Sequence, residues 1–216
     1  MSTVLSLSCR CGAMGGELRD VSPRHGSRVV CYCRDCRAFA RHLGQGDTVL
    51  DPHGGTEIYQ TTSDRLSLAD PGGKLACLRL RTGGLLRWYV SCCNTPIGNT
   101  LGTPGLPFIG LITGGLPAAA APVEDFGPVM ARAFVREAEG GADALAADAG
   151  SPFRLVALAM ARSLWARATG GHRRTPLFDA ASRAPVVEPR VLTDGELQAA
   201  MGAAGPAAAE SPGGSP

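Results

Sequence analysis

Between position 1 and about 115, apolar and polar residues alternate over short runs broken by glycine, which is the pattern of a sheet built from short strands. Residues 28–32, 57–62, 74–81 and 85–91 each fit a strand of ordinary length. The last two flank Thr82-Gly83-Gly84, a sequence suited to a hairpin turn. Residues 38–43 read as one or two helical turns. After position 117 alanine becomes frequent, and the apolar spacing is helical over 123–138 and 152–168. Gly140-Gly141 and Gly170-Gly171 supply the stops, and Pro128 breaks or starts the first of these segments. Phe153, Val156, Met160, Leu164 and Trp165 share one helical stripe, which predicts a face packed on the sheet or against a second protomer in a homodimer. From Met201 the chain is, apart from that Met and Glu210, all Ala, Gly, Pro and Ser, with too little apolar surface to order itself. The expected class is therefore mainly β, α+β overall: a β domain over 1–115, a helical extension over 116–198 and a disordered tail over 199–216.

Composition narrows the function classes. A chain of 216 residues is long enough to bury a real core. Its net charge of +2 argues against a dedicated nucleic-acid binder, which shows a strong basic excess or a basic face. No run of 18 apolar residues exists, so no helical membrane span is expected.

The cysteines carry the chemistry. All 8 lie between Cys9 and Cys93, and three of them form the run Cys31-Tyr-Cys33-Arg-Asp-Cys36. Cys9-x-Cys11 precedes that run and Cys92-Cys93 follows it. Disulfides would need an oxidising compartment. The opening residues show no basic n-region and no sustained apolar stretch, so a cytoplasmic, reducing setting is expected. There, cysteine pairs at this spacing read as metal ligands or redox centres, and soft thiolates select zinc or iron-sulfur clusters over calcium or magnesium.

Cys9-Arg-Cys11-Gly12-Ala13, then Cys31-Tyr-Cys33-Arg-Asp-Cys36-Arg37, then Arg87-Trp-Tyr89 leading to Cys93-Asn-Thr95-Pro96 resembles the glutathione-dependent formaldehyde-activating enzyme and centromere protein V family. The run from Arg87 to Thr100 and the later Gly171-His-Arg-Arg-Thr-Pro-Leu-Phe-Asp179 look like an uncharacterised bacterial branch of that superfamily. The resemblance implies a zinc-bearing β-tent and two zinc ions. One is held by four thiolates, here Cys9, Cys11, Cys93 and one more. The other is held by Cys31, Cys33 and Cys36, with a coordination position left for a substrate thiol, the mark of a catalytic site.

The chain departs from the family pattern at Val90, where the first cysteine of the final pair would stand. Cys77 or Cys92 can replace it. If Gly83-Gly84 is the two-residue hairpin loop, Cys77 lies directly opposite Val90, with Cβ atoms about 5 Å apart. Cys77 is preferred on that ground, because two members of a vicinal pair on one metal strain the backbone. Its alternative is a plain buried small residue.

A three-thiolate zinc is a weak Lewis acid, but it can bind an incoming thiol and lower that thiol's pKa. The family's reaction joins glutathione to formaldehyde, and the implied partner is a small thiol or thiol adduct such as a glutathione conjugate. Arg34, Asp35 and Arg37 are suited to a peptide-like substrate's carboxylates, or else are loop charges in solvent. His42 and His53, and less so His25 and His172, are candidates for a fourth ligand or a proton carrier, against the plainer reading of surface histidines. Two classes of function stay open: a carbon-sulfur lyase of thiol adducts, and a non-catalytic zinc module that binds a protein partner. The arginines from Arg162 to Arg190 make the end of the chain basic; a phosphate or nucleic-acid role for them has no aromatic interleaving behind it, and solvated arginines are the plainer reading.

Overall fold

The computed structural model describes residues 3–114, 126–141, 145 and 152–202. Eleven strands form two sheets among these residues. β1 (Leu5–Ser8), β2 (Gly15–Leu18) and β5 (Leu66–Ala69) make a small antiparallel sheet in the order β1-β2-β5. The large sheet has eight strands in the order β10-β3-β4-β9-β8-β7-β6-β11. These are β3 (Ser27–Cys31), β4 (Thr56–Thr62), β6 (Leu75–Arg79), β7 (Leu86–Val90), β8 (Thr95–Thr100), β9 (Phe108–Ile112), β10 (Val129–Ala133) and β11 (Arg190–Val191). Its interior is antiparallel, while β10 and β11 add in parallel at the two edges. The helices are α1 (Arg34–His42), α2 (Gly46–Val49), α3 (Pro152–Ala168) and α4 (Asp194–Gly202). The fold is mainly β within an α+β chain, as the alternating pattern predicts.

Strand alternation sorts side chains into layers. Leu86, Trp88 and Val90 of β7 point to one face with Ile109, Leu111 and Tyr59, where they meet Leu5, Leu7, Leu18 and Leu66 of the small sheet. Trp88 is fully buried and donates its indole N–H to the Thr100 hydroxyl at 2.9 Å. Leu78, Leu80 and Ile112 point the other way and pack on Phe39 of α1 and Leu43 just after it, with Leu192 and Ala200 from the α4 region. The large sheet is therefore covered by strands on one side and by α1 and α4 on the other.

The four strands read from the pattern fall on β3, β4, β6 and β7. The turn does not fall where expected. Gly84 N–H donates to Arg81 O at 3.0 Å and Gly83 has φ 77°, so the central residues are Thr82-Gly83. Moving a turn centre by one residue moves every cross-strand partner by two. Val90 thus faces Leu75, and Cys77 faces Trp88. The helix expected over 38–43 begins earlier, at Arg34, because Cys33 acts as its N-cap, with its sulfur accepting from Cys36 N–H at 3.4 Å.

The region expected as a helix over 123–138 is, where described, the strand β10 and a short 3-10 turn at Val135–Glu137. The open edge of β3 explains this. β10 pairs with β3 from Val129 to Ala133, and Phe134 ends it in the left-handed region at φ 57°. The helix over 152–168 is present as α3, but its apolar stripe does not pack on the sheet. Phe153, Val156, Met160, Leu164 and Trp165 are exposed, while Leu155, Ser163 and Ala166 are buried. Of the tail expected over 199–216, residues 199–202 are ordered as the last turn of α4, with Ala200 buried against the sheet side, and 203–216 lie outside the described residues.

Candidate metal centres

The first cysteine group is assembled at one end of the two-sheet sandwich. Cys9 and Cys11 follow β1 in a turn closed by Gly12 N–H to Cys9 O at 2.9 Å, with Gly12 at φ 74°. Cys92 and Cys93 occupy the turn between β7 and β8, where Asn94 takes φ 53°. The four sulfurs all lie within 4.8 Å of one another. Neighbouring sulfurs are 3.6 Å apart for Cys9 and Cys11, 3.1 Å for Cys11 and Cys92, and 3.8 Å for Cys92 and Cys93. Tetrahedral bonds of about 2.3 Å to sulfur imply edges of about 3.8 Å, so these thiols fit a single metal ion. All eight cysteines are free.

Cys77 is absent from this group, contrary to the sequence-based preference. It is buried in the core opposite Trp88, where burial pushes its thiol up to about 12, the state of an inert structural cysteine. Val90 points into the same core. Cys92 brings the fourth sulfur because it lies beyond the strand, in a tight turn that lets both members of the vicinal pair face the same centre.

Polar groups support this end of the molecule. Cys9 sulfur accepts from Met14 N–H at 3.3 Å, and the Thr95 hydroxyl lies 3.0 Å from Cys93 sulfur while accepting from Arg10 N–H at 3.1 Å. Burial alone would raise the Cys93 thiol, but the Thr95 hydroxyl and the N–H groups of Cys11 and Thr95 bring it down to about 6. Gln45, buried where α1 joins α2, receives a hydrogen bond from Arg10 and donates to Cys93 O at 3.3 Å. No local sequence signal marks Gln45, since its partners are remote.

The second group is local. Cys31 ends β3, Cys33 caps α1 and Cys36 lies in its first turn, with all three sulfurs within 4.8 Å of one another and Cys31 and Cys36 separated by 3.7 Å. Cys31 and Cys36 are buried and Cys33 is half-buried. The Cys33 thiol is brought down to about 2 by hydrogen bonds from Cys31 and then Cys36, helped by Cys36 N–H and the charge of Arg87. The Cys31 thiol is pushed up as the donor to Cys33. The N-terminus of α1 adds its positive end to the same place. This is a donor set in which protons shared among sulfurs can give way to a soft cation.

Arg87 is the residue that sequence reading left without a role at this site. It is 3% exposed, donates to Asn99 Oδ1 at 3.1 Å, lies 3.9 Å from Asp35 and stacks over Phe39 at 5.5 Å. The available signal was a charged residue at an inward position of a strand otherwise apolar, which is costly unless the charge is used. Asp35 pairs with Arg81 at 2.8 Å rather than lying free. Arg37 is buried and committed to Tyr32 O, Glu137 O and Glu139, so it is not free for a substrate. Arg34 is exposed beside Cys33 and lines a cavity of about 420 Å³ between α1 and α4.

The histidines stand apart from both sulfur groups among the described residues. His42 contacts Arg190 at 3.1 Å, and burial, then the Arg190 charge, lowers its pKa. His53 contacts Glu139 O, His25 contacts Asp20 O and Ser22, and His172 contacts Arg167 O. No helix among the described residues is long and apolar enough to cross a membrane.

Fold and site together define a mainly β protein with two cysteine groups able to hold metal ions, one of four thiols and one of three. The chain belongs to the family of unknown function DUF6151, whose family model matches residues 1–188. That span takes in both cysteine groups, β10 and α3. No curated protein matches the chain.

Proposed function

We propose that this chain is a zinc protein of thiol-adduct chemistry, similar to carbon-sulfur lyases of the glutathione-dependent formaldehyde-activating type. Cys9, Cys11, Cys92 and Cys93 form its closed structural site, and Cys31, Cys33 and Cys36 form its open one. Donor chemistry supports zinc, because both sets are all-thiolate and soft. The observation that carries the reading is the unequal donor count, four against three, with the half-buried Cys33 giving the smaller group a side toward solvent.

Zinc bound by three thiolates supplies a soft cation that favours the thiolate form of an incoming thiol. The protein's own residues do the rest. Arg87 places a buried positive charge beside three sulfurs that would otherwise carry an excess of negative charge. Asn99 and Phe39 hold its guanidinium in place. Arg34 is positioned to receive a carboxylate of a peptide-like thiol.

The test is elemental analysis of metal per chain, followed by titration with reduced glutathione in the presence of a chromogenic zinc chelator. About two zinc ions are expected, of which one is released quickly by glutathione and is missing in Cys33→Ser. Two equally inert ions would favour the non-catalytic protein-binding module and end the enzyme reading.

A further inference from the structure

Far from the sulfur groups, the β2–β3 connection, the turn after β4 and one side of α3 enclose an open cleft of about 910 Å³. Five arginines line it, Arg19, Arg24, Arg65, Arg162 and Arg174, against two carboxylates, Asp20 and Asp64. The excess is three positive charges. Trp165 stands on the same wall with its indole 71% exposed. Ser27 and Cys31 lie at opposite ends of β3, about 13 Å apart at 3.3 Å per residue, so the cleft is separate from the three-cysteine group.

Not all the arginines are available. Arg162 is spent on fixing α3, donating to Arg24 O, Ser27 Oγ and Pro23 O at 3.0, 2.8 and 2.9 Å. Arg65 is paired with Asp20 at 2.5 Å. Among the described residues the Arg19 guanidinium donates to Asp64 O at 3.3 Å and the exposed Arg24 guanidinium meets no acceptor. Exposed guanidinium groups with few or no acceptors are suited to a multiply charged phosphate, and an exposed indole on the same cleft is suited to a flat ring. The volume is within the range of small-molecule sites.

We propose that this cleft is a second binding site, for a free nucleoside phosphate, with the phosphate on Arg24 and Arg19 and the base stacked on Trp165. The two halves of the site are far apart in sequence, since Arg24 precedes β3 and Trp165 lies in the last turn of α3.

The experiment is calorimetric titration of the full, metal-loaded chain with adenosine 5′-monophosphate, adenosine, inorganic phosphate and a short single-stranded oligonucleotide. Indole fluorescence is followed in parallel. The monophosphate is expected to bind and to quench the exposed Trp165. Inorganic phosphate and adenosine are each expected to bind at least about tenfold more weakly. Arg24→Ala should weaken the monophosphate about tenfold, and Trp165→Ala should do the same while leaving inorganic phosphate unchanged. Neither side chain supports the fold, and metal content measured on both variants should match the parent. Absence of binding at millimolar monophosphate, or equal affinity for inorganic phosphate, would overturn the proposal. Tighter binding of the oligonucleotide with a steep salt dependence would also overturn it, in favour of a nucleic-acid surface.

Discussion

Replacing Cys77 and Cys92 one at a time separates core packing from metal binding. Cys77 is 3% exposed in the core against Trp88, and its sulfur makes only a 4.0 Å contact to Leu78 O. Cys77→Ala removes one buried atom of about methylene size and leaves a small void, costing about 1 kcal/mol. In a chain of this length that lowers Tm by about 2–4 °C. Its metal content should stay that of the parent. Cys92→Ala removes an exposed side chain with no core to lose, but takes away a sulfur 3.1 Å from Cys11 and 3.8 Å from Cys93. One metal per chain should be lost. With free metal at about 1,000 times its Kd, the linked stabilisation that disappears is about 4 kcal/mol. The assay is thermal unfolding in metal buffer and again in excess chelator, with elemental analysis of each protein. In chelator, parent and Cys92→Ala should melt together, while Cys77→Ala keeps its small deficit. Loss of a metal from Cys77→Ala, or full metal content in Cys92→Ala, would refute the assignment.

Cys9→Ser, at a buried position of the four-thiol group, is expected to destabilise the whole domain, whereas Cys33→Ser should remain folded with one metal fewer; calorimetry with elemental analysis checks both. At the start of α4, Thr193 and Glu196 cap each other, Thr193 N–H donating to Glu196 at 2.8 Å and Glu196 N–H to Thr193 Oγ1 at 3.3 Å. The Thr193 N–H, then Arg190 and the Thr193 hydroxyl, lower Glu196 from 4.5 to about 2. A depressed carboxylate stabilises above its unfolded value and loses that stabilisation as pH falls through the folded one. Amide exchange in α4 should therefore quicken as pH drops from 4.5 toward about 2, beyond the intrinsic trend, and Glu196→Gln, which removes the titrating carboxylate, should abolish that dependence.

By itself the sequence determined what depends on near neighbours. Cys31, Cys33 and Cys36 are six residues of chain folded over one helix start, so their meeting follows from local geometry. The same holds for the Cys9–Cys11 turn, for β3, β4, β6 and β7, and for the helix over 152–168. Tertiary structure decided what depends on register and on open edges. One residue in the placement of the β6–β7 turn put Cys77 opposite Trp88 and left the fourth sulfur to Cys92. The unpaired edge of β3 drew 129–133 into a strand despite its helical spacing, because backbone hydrogen bonds to a sheet outweigh a weak local preference. The apolar stripe of α3 was visible, but which of its sides met the sheet was not. Small side chains at Ser163 and Ala166 allow close approach, and that left Trp165 facing the arginines of a cleft no stretch of sequence contains.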